Sequence, residues 1–570
     1  MSTPDWIVLI TTLTVIIVFG VYKSKSAKSL EGYFLSNRSM PWWVVLLSIM
    51  GTQASAVTFL AAPGQAYTDG MRFVQYYFGL PLAAIVICIT FIPAFSKLKI
   101  FTAYEYLETR FDGKTRTLTS LLFLLQRGLS TGISIFAPSL ILSALLGWNI
   151  YWTNLVMGGL LIIYTVTGGA RAVAYTQTLQ LFIIFTGMFI AGVYVVQGLP
   201  QNVGFFDALE VGGKLDKLNV ITTGFKNGAF DWSDRYNIIS GTIGGFFLLL
   251  SYFGTDQSQV GRFMTAKSTS ESKLGVLMNG IVKIPMQFFI LLIGVLVFSF
   301  YQFTKPPVFF NDKELQRLET SVYKDSLLRI QDQAGQLQQQ KEVLLTAYAQ
   351  DKQAVHLEQL KAVQSQTDTL RNEVKSLVKK NGGDDNDTNY IFLRFVVDYL
   401  PVGLIGLLIA VIFLASWGSI AAALNSLASS TVIDLHKRYK PKECTDAQDY
   451  NMSRWYSFGW GVFCIAVAMF ASNIGNSLIE AVNILGSLFY GTILGIFLVA
   501  FYCKKIKGNA VFYAALIVEA AIIVLFILSK NGTIGLGFLW LNAIGALGVV
   551  IISWLLQQFT GNKISPVSKV

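Results

Sequence analysis

Oxygen-bearing and very small residues are concentrated in two stretches of otherwise apolar sequence, Ser48-Ile-Met-Gly-Thr-Gln-Ala-Ser-Ala-Val-Thr58 and Ala415-Ser-Trp-Gly-Ser419-Ile-Ala-Ala-Ala-Leu-Asn425-Ser-Leu-Ala-Ser-Ser-Thr431. A hard cation such as sodium takes several oxygen ligands. Two hydroxyl-bearing, locally irregular helices can supply them without a full carboxylate. In hydrocarbon, unwound backbone is tolerated only where it lines a protein cavity or a wet pathway, and there its freed carbonyls can coordinate a cation. Close helix packing through small residues accounts for the same composition, so either stretch alone decides little; as a pair they point to cation chemistry. One basic residue, Arg127, stands about eleven residues into an apolar window. A charge at membrane depth is costly enough to demand a partner or a wet cavity; an internal ion pair or snorkelling toward the interface would also satisfy it. Catalysis has little support. There are only two histidines, His356 and His436, and no cluster of titratable groups in the apolar segments. The four cysteines, Cys88, Cys444, Cys464 and Cys503, are scattered without metal or disulfide spacing.

The elements that must hold these residues are membrane-spanning helices. The chain of 570 residues is 53% hydrophobic and only 14% charged, more apolar than a soluble fold. Crossing about 30 Å of hydrocarbon takes roughly 20 helical residues. Windows of that kind lie near 5–23, 41–66, 72–97, 116–147, 150–168, 173–197, 237–254, 272–303, 401–433, 455–473, 479–502, 509–529 and 534–557, thirteen in all. The first has no basic region or cleavage site before it and reads as a retained helix. The net charge of +11 resides mainly in short loops, where it sets orientation and does not point to nucleic acid. Lys23, Lys25 and Lys28 follow the first window, and every second loop is again basic: Lys97 to Arg116, Arg262 to Lys273, Lys437 to Lys442, and Lys504 to Lys507. This alternation places the N-terminus outside and the C-terminus in the cytoplasm.

Three parts follow: membrane domain 1–303, a polar insert 304–390, and membrane domain 391–570. In the insert, Leu360, Val363, Leu370, Val374 and Leu377 keep a three-four spacing, which predicts a helical or coiled-coil hairpin on the outer face. Such a hairpin is either a solvated helix or a surface for a partner protein or self-association. It ends in the run NGGDDNDTN from Asn381 to Asn389, expected to be flexible.

Further motifs are Pro41-Trp-Trp, Thr102-Ala-Tyr-Glu-Tyr-Leu-Glu-Thr-Arg-Phe111, Gly168-Gly-Ala-Arg-Ala-Val-Ala-Tyr-Thr-Gln-Thr-Leu-Gln180, Gly254-Thr-Asp-Gln-Ser-Gln-Val-Gly-Arg-Phe-Met-Thr-Ala-Lys267, Asn425-Ser-Leu-Ala with Asp434-Leu-His-Lys, and Gly486-Ser-Leu-Phe-Tyr-Gly491. In their order and placement they resemble the sodium:solute symporters, the family of the sodium-coupled sugar, proline, iodide and sialic acid carriers. The resemblance implies an all-α polytopic fold with a LeuT-type core of two inverted five-helix repeats, in which the first core helix, 41–66, and its counterpart are broken. It implies sodium as coupling ion, with no organic cofactor. The implied ligands are the carbonyls of Gly51, Ala54 and Ala415 and the hydroxyl of Ser419.

Gly418 stands where the family usually has a second hydroxyl, so the site has fewer ligands, recruits water or Ser416, or binds more weakly. Many relatives have an aspartate at Gln177, and some a hydroxyl pair lining a second sodium site at Ala421 and Ala422; with an amide and two methyl groups there, one sodium ion per cycle is expected. Similarity places the solute beside Gln53, Ser55, Thr58, Gln75 or Tyr77, with Arg127, Lys283 and a closing aromatic, Tyr252. The two cations favour an anionic or carboxylated solute over a neutral sugar or polyol. The expected function is sodium-coupled symport in the cell membrane; a membrane enzyme, or a transport-inactive sensor on the same fold, are the other classes.

Overall fold

The computed structural model describes residues 1–24, 29–439, 445–471 and 478–559. Lys25, Lys28, Lys440, Lys442 and Cys444 lie outside the described residues. Among those described, nine helical runs are long and apolar enough to cross a membrane, with Trp42–Gln53 and Ile150–Ile163 as shorter apolar helices. The labels used below are α1 (Thr3–Ser24), α2 (Trp42–Gln53), α3 (Ala56–Asp69), α4 (Gly113–Leu146), α5 (Ile150–Gln197), α6 (Gly245–Thr255), α7 (Gln257–Phe263), α8 (Thr269–Phe303), α9 (Lys324–Asp351), α10 (Ala354–Lys380), α11 (Leu404–Ser430), α12 (Asp446–Phe470) and α13 (Leu478–Tyr502). Helices Gly508–Lys530 and Phe538–Phe559 complete the bundle.

The window 41–66 is broken where its small residues lie. Helix α2 stops at Ala54 (φ −77°, ψ 85°), and α3 restarts after Ser55 (φ −92°, ψ 172°). The Ser55 amide, which would close on Gly51 in a continuous helix, turns to the Gln53 carbonyl instead (3.0 Å). A second interruption falls at Asp256 (φ −74°, ψ 119°), between α6 and α7.

One expectation needs correction. The hydroxyl-rich stretch from Ala415 is not unwound: α11 is continuous to Ser430, and a π turn begins only at Thr431. Its hydroxyls bond back onto their own helix, Ser416 to the Ile412 carbonyl and Ser426 to that of Ala422, which satisfies them without opening the backbone. The windows 150–168 and 173–197 form one helical element, α5, of 48 residues. Asn154 donates to the Ala468 carbonyl near the end of α12, while Gly198 lies against Phe300 near the end of α8. Both ends of α5 therefore lie on the face that bears the insert. A straight helix of that length would separate its ends by about 70 Å, so the chain reverses direction within it.

In the insert, α9 and α10 form a hairpin turned at Lys352, whose φ of 53° is left-handed. Leu360, Val363 and Val374 are buried, and Leu370 and Leu377 pack on a small cluster containing Phe309 and Leu327. The hairpin does not stand free. Gln338 donates to the Gln302 carbonyl (2.9 Å), and Glu210 receives Tyr348 (3.0 Å) and Lys352 (2.7 Å). The run 381–389, expected to be flexible, is pinned through Asp387. This fully buried carboxylate accepts the Phe310 amide (2.9 Å) and pairs with Arg371 (2.7 Å) and Lys375 (3.8 Å). Removing one partner of a buried ion pair costs about 3–5 kcal/mol. Asp387→Ala should therefore lower the thermal unfolding temperature of the detergent-solubilised protein by several degrees, and an unchanged midpoint would show that this pair does not anchor the insert.

Candidate functional site

A cavity of about 90 Å³ lies beside the α2–α3 break. Six of the residues expected along the solute path line it: Gln53, Ser55, Thr58, Tyr77, Arg127 and Tyr252. The break presents Gln53 from the end of α2 and Ser55 and Thr58 from the start of α3. Tyr76 and Tyr77 come from the tight Gly70–Tyr77 turns, and Gln126, Arg127 and Ser130 from one face of α4. Tyr252 projects from α6; Asn483 and Tyr490, two turns apart on α13, close the far wall with Leu248, Ile479 and Val482.

Arg127 has a counter-charge. Its Nη1 lies 3.7 Å from Oδ2 of Asp256, and its guanidinium lies 5.9 Å from the Tyr252 ring centroid. The Tyr490 hydroxyl donates to the same Asp256 oxygen (2.7 Å), and the other oxygen caps α7 by accepting from the Ser258 amide (2.7 Å) and hydroxyl (2.6 Å). The carboxylate at the second helix break thus compensates the cation beside the first cavity wall. At 3.7 Å the contact is electrostatic only, and Arg127 Nε makes no hydrogen bond among the described residues, so the guanidinium keeps donor capacity.

Sequence reasoning missed Asp256 because it falls just past an apolar window. The usable signal was Arg127 itself, whose depth required an acid at similar depth. Gln126, Ser130, Asn483 and Tyr490 also escaped; their signal is ordinary helical spacing of polar residues on α4 and α13.

Two expected residues do not line the cavity. Gln75 is held elsewhere, donating to the Thr222 hydroxyl (3.0 Å) and the Tyr236 carbonyl (3.2 Å) and accepting the Thr222 amide (3.1 Å). It ties the Gly70–Tyr77 turns to the loop ahead of α6. Lys283 is fully buried on α8 with its ammonium 5.5 Å from the Tyr77 ring centroid; Tyr77, not Lys283, faces the cavity.

The five residues expected to surround sodium lie on α2, its break, and α11, and one side chain joins these elements. Gln177, on α5, donates from Nε2 to the Gly418 carbonyl (2.9 Å) and the Thr52 hydroxyl (3.2 Å), while its Oε1 accepts the Ser48 hydroxyl (2.8 Å). Because a carbonyl only accepts, Gly418 dictates which end of the amide faces α11. Close approach explains both glycines: a Cβ at Gly51 would meet Gln177 Cβ at 2.9 Å, and one at Gly418 would meet Gln180 Oε1 at 2.6 Å. Ala54, Ala415 and Ser419 are buried. The Ser419 hydroxyl donates to the Ser416 carbonyl (3.1 Å), which leaves its oxygen able to accept a cation. The donor set of carbonyls and a hydroxyl suits a hard monovalent ion.

Comparison with known proteins bears on the chain as a whole. The sodium-dependent multivitamin transporter of Oryctolagus cuniculus is 27% identical over 528 residues, covering 90% of this chain and 68% of that protein. The sodium/sialic acid symporter of Aliivibrio fischeri is 24% identical over 567 residues, covering 99% of this chain and 95% of that one. A solved structure described as the substrate-bound outward-open state of a Na⁺-coupled sialic acid symporter superposes with a TM-score of 0.75 at 22% identity, covering 98% of both chains. The family model described as the sodium:solute symporter family matches residues 33–313 and 372–518, passing over part of the insert. The chain belongs to the sodium:solute symporter family.

Proposed function

We propose that this multi-pass membrane protein is a sodium-coupled symporter that moves a small organic solute by alternating access, with a LeuT-type core in which α2–α3 and α6–α7 are the two broken helices. The observation that carries this reading is the α2–α3 break, which frees carbonyls beside α11 and at the same time lines the solute cavity. Sodium bound to the Gly51, Ala54 and Ala415 carbonyls and the Ser419 hydroxyl orders the break, and the ordered break presents Gln53, Ser55 and Thr58 to the solute. Binding at either site then favours the other by the same free energy. Tyr252, whose hydroxyl accepts from Gln259 of α7 (2.6 Å), gates the cavity toward the cytoplasm. One sodium per cycle is favoured by Gln177, whose amide N–H groups point at the Gly418 carbonyl and Thr52 hydroxyl, where a second cation would require acceptors.

The solute is anionic or carboxylated, because Arg127 borders the cavity with donors to spare and guanidinium matches a carboxylate. Lys283 no longer adds to this case. A neutral sugar or polyol is the alternative, favoured by the partial neutralisation of Arg127 by Asp256. Uptake into proteoliposomes driven by a sodium gradient separates either carrier from a transport-inactive sensor.

Sodium should raise the unfolding temperature, and Ser419→Ala should weaken apparent sodium affinity about tenfold, equivalent to about 1.4 kcal/mol; equal sodium titrations for the two proteins would remove Ser419 from the site. Gly418→Ser should strengthen sodium binding, provided the Gln180 amide swings away and Gln177 Cγ, 3.2 Å from the added Cβ, gives slightly; a sodium titration no tighter than the parent's would show that the hydroxyl does not reach the ion.

Arg127→Gln should abolish stabilisation by monocarboxylates or sialic acid while sparing the sodium effect. If the variant is stable and binds the anion as tightly as before, the solute does not use Arg127. The insert lies outside the cell in this scheme. Val343→Cys, at an exposed position of α9, should react with an impermeant maleimide in intact cells, and labelling only after lysis would invert the topology.

A further inference from the structure

A second cavity, of about 240 Å³, lies where α9 and α10 cover the ends of α3 and α8. Its walls carry four basic side chains, Lys217, Lys341, Arg371 and Lys375, and one acid, Asp368. Asp387 adds a second carboxylate by pairing with Arg371 (2.7 Å) and Lys375 (3.8 Å). Outside the wall, Asp69 shares Arg72 (3.0 Å) with Asp234 (2.9 Å), and Asp216 lies 3.7 Å from Lys361. Within the wall itself four cations face two carboxylates, so the chamber is positive.

The excess falls on the two lysines. Lys341 is only 2% exposed, and its ammonium donates to a neutral acceptor, Gln364 Oε1 (2.7 Å). The same Gln364 amide donates to Asp368 (2.8 Å) and so stands between the lysine and the acid. Burial lowers the Lys341 ammonium to about 8, and a bound anion would favour its charged form. Lys217 donates to the Thr68 carbonyl (2.6 Å) and lies 5.0 Å from the Phe298 ring centroid. An ammonium as buried as that of Lys341, hydrogen-bonded to a neutral amide, is costly unless an anion joins it.

We propose that this chamber is an anion-binding site distinct from the central cavity, in which a compact monoanion, a small carboxylate or an inorganic ion, sits between Lys341 and Lys217 under the insert. The insert thereby forms a basic antechamber on its face of the bundle. A recess with one excess sign of charge and low-dielectric walls concentrates counter-ions by about 10- to 1000-fold. The site does not depend on what the central cavity carries.

The test uses the full-length protein in detergent with a cysteine at Ala334, a residue of the chamber wall, and the parent protein as background. A methanethiosulfonate bearing a sulfonate should modify Ala334→Cys about tenfold faster than one bearing a trimethylammonium, and sodium pyruvate should slow the sulfonate reagent. Protection by pyruvate alone assigns the chamber to carboxylates; equal protection by chloride assigns it to small anions in general. Lys341→Gln, which keeps an amide contact to Gln364, should bring the two rates together. The rate ratio and pyruvate protection need no basic residue to be replaced, so they stand even if that variant misfolds. No modification, equal rates, a faster cationic reagent, or protection by neither anion would overturn the proposal.

Discussion

Hydrocarbon offers no hydrogen-bond partner, so every carbonyl and amide released by a helix break must find one in the protein, in a wet cavity or on a bound ion. That constraint organises this protein. At Ala54 and Ser55 the chain gives up helical hydrogen bonds, and the lost closure on Gly51 is not restored by another backbone amide from the same turn. The surroundings are built for close approach: Gly51 and Gly418 both admit Gln177, whose amide holds α2 to α11 through Ser48, Thr52 and the Gly418 carbonyl. A neutral side chain thus braces the break, and in the proposed function the coupling ion completes it.

Charge obeys the same rule. Arg127 and Asp256 are both buried, and they face each other from α4 and the second break. At the other end of α11 a fully buried acid, Asp434, takes the Thr102 hydroxyl (2.7 Å) and the Arg116 guanidinium (2.9 Å). Those contacts join two motifs, Thr102 to Phe111 and Asp434 to Lys437, that carried the family resemblance without any evident role. In physical terms they hold the α4 entry to the end of α11 around one carboxylate.

Much of this was legible in the sequence, because lipid enforces it. Apolar windows of helical length, the small-residue interruption at Ser48 to Thr58 and the depth of Arg127 are each local signals with one strong physical cause. What was not legible depends on partners far along the chain. The hydroxyls of Ala415 to Thr431 could serve an unwound segment or bond back onto a regular helix, and only packing chose the latter. Gln75 is polar at the right place, but the Thr222 loop claims it. Lys283 sits one aromatic ring away from the cavity. Asp387 looked like part of a soft polar run, until Arg371, sixteen residues earlier, made it an anchor.

The central claim is that a cation orders the break between α2 and α3. Hydrogen exchange at the amides of Ser55 to Thr58, followed by mass spectrometry in sodium and then in an equal concentration of potassium, tests this most directly. Sodium should slow exchange at these amides relative to potassium and leave the interior of the Gly508–Lys530 helix unchanged. Equal exchange at the break in both salts would contradict the account.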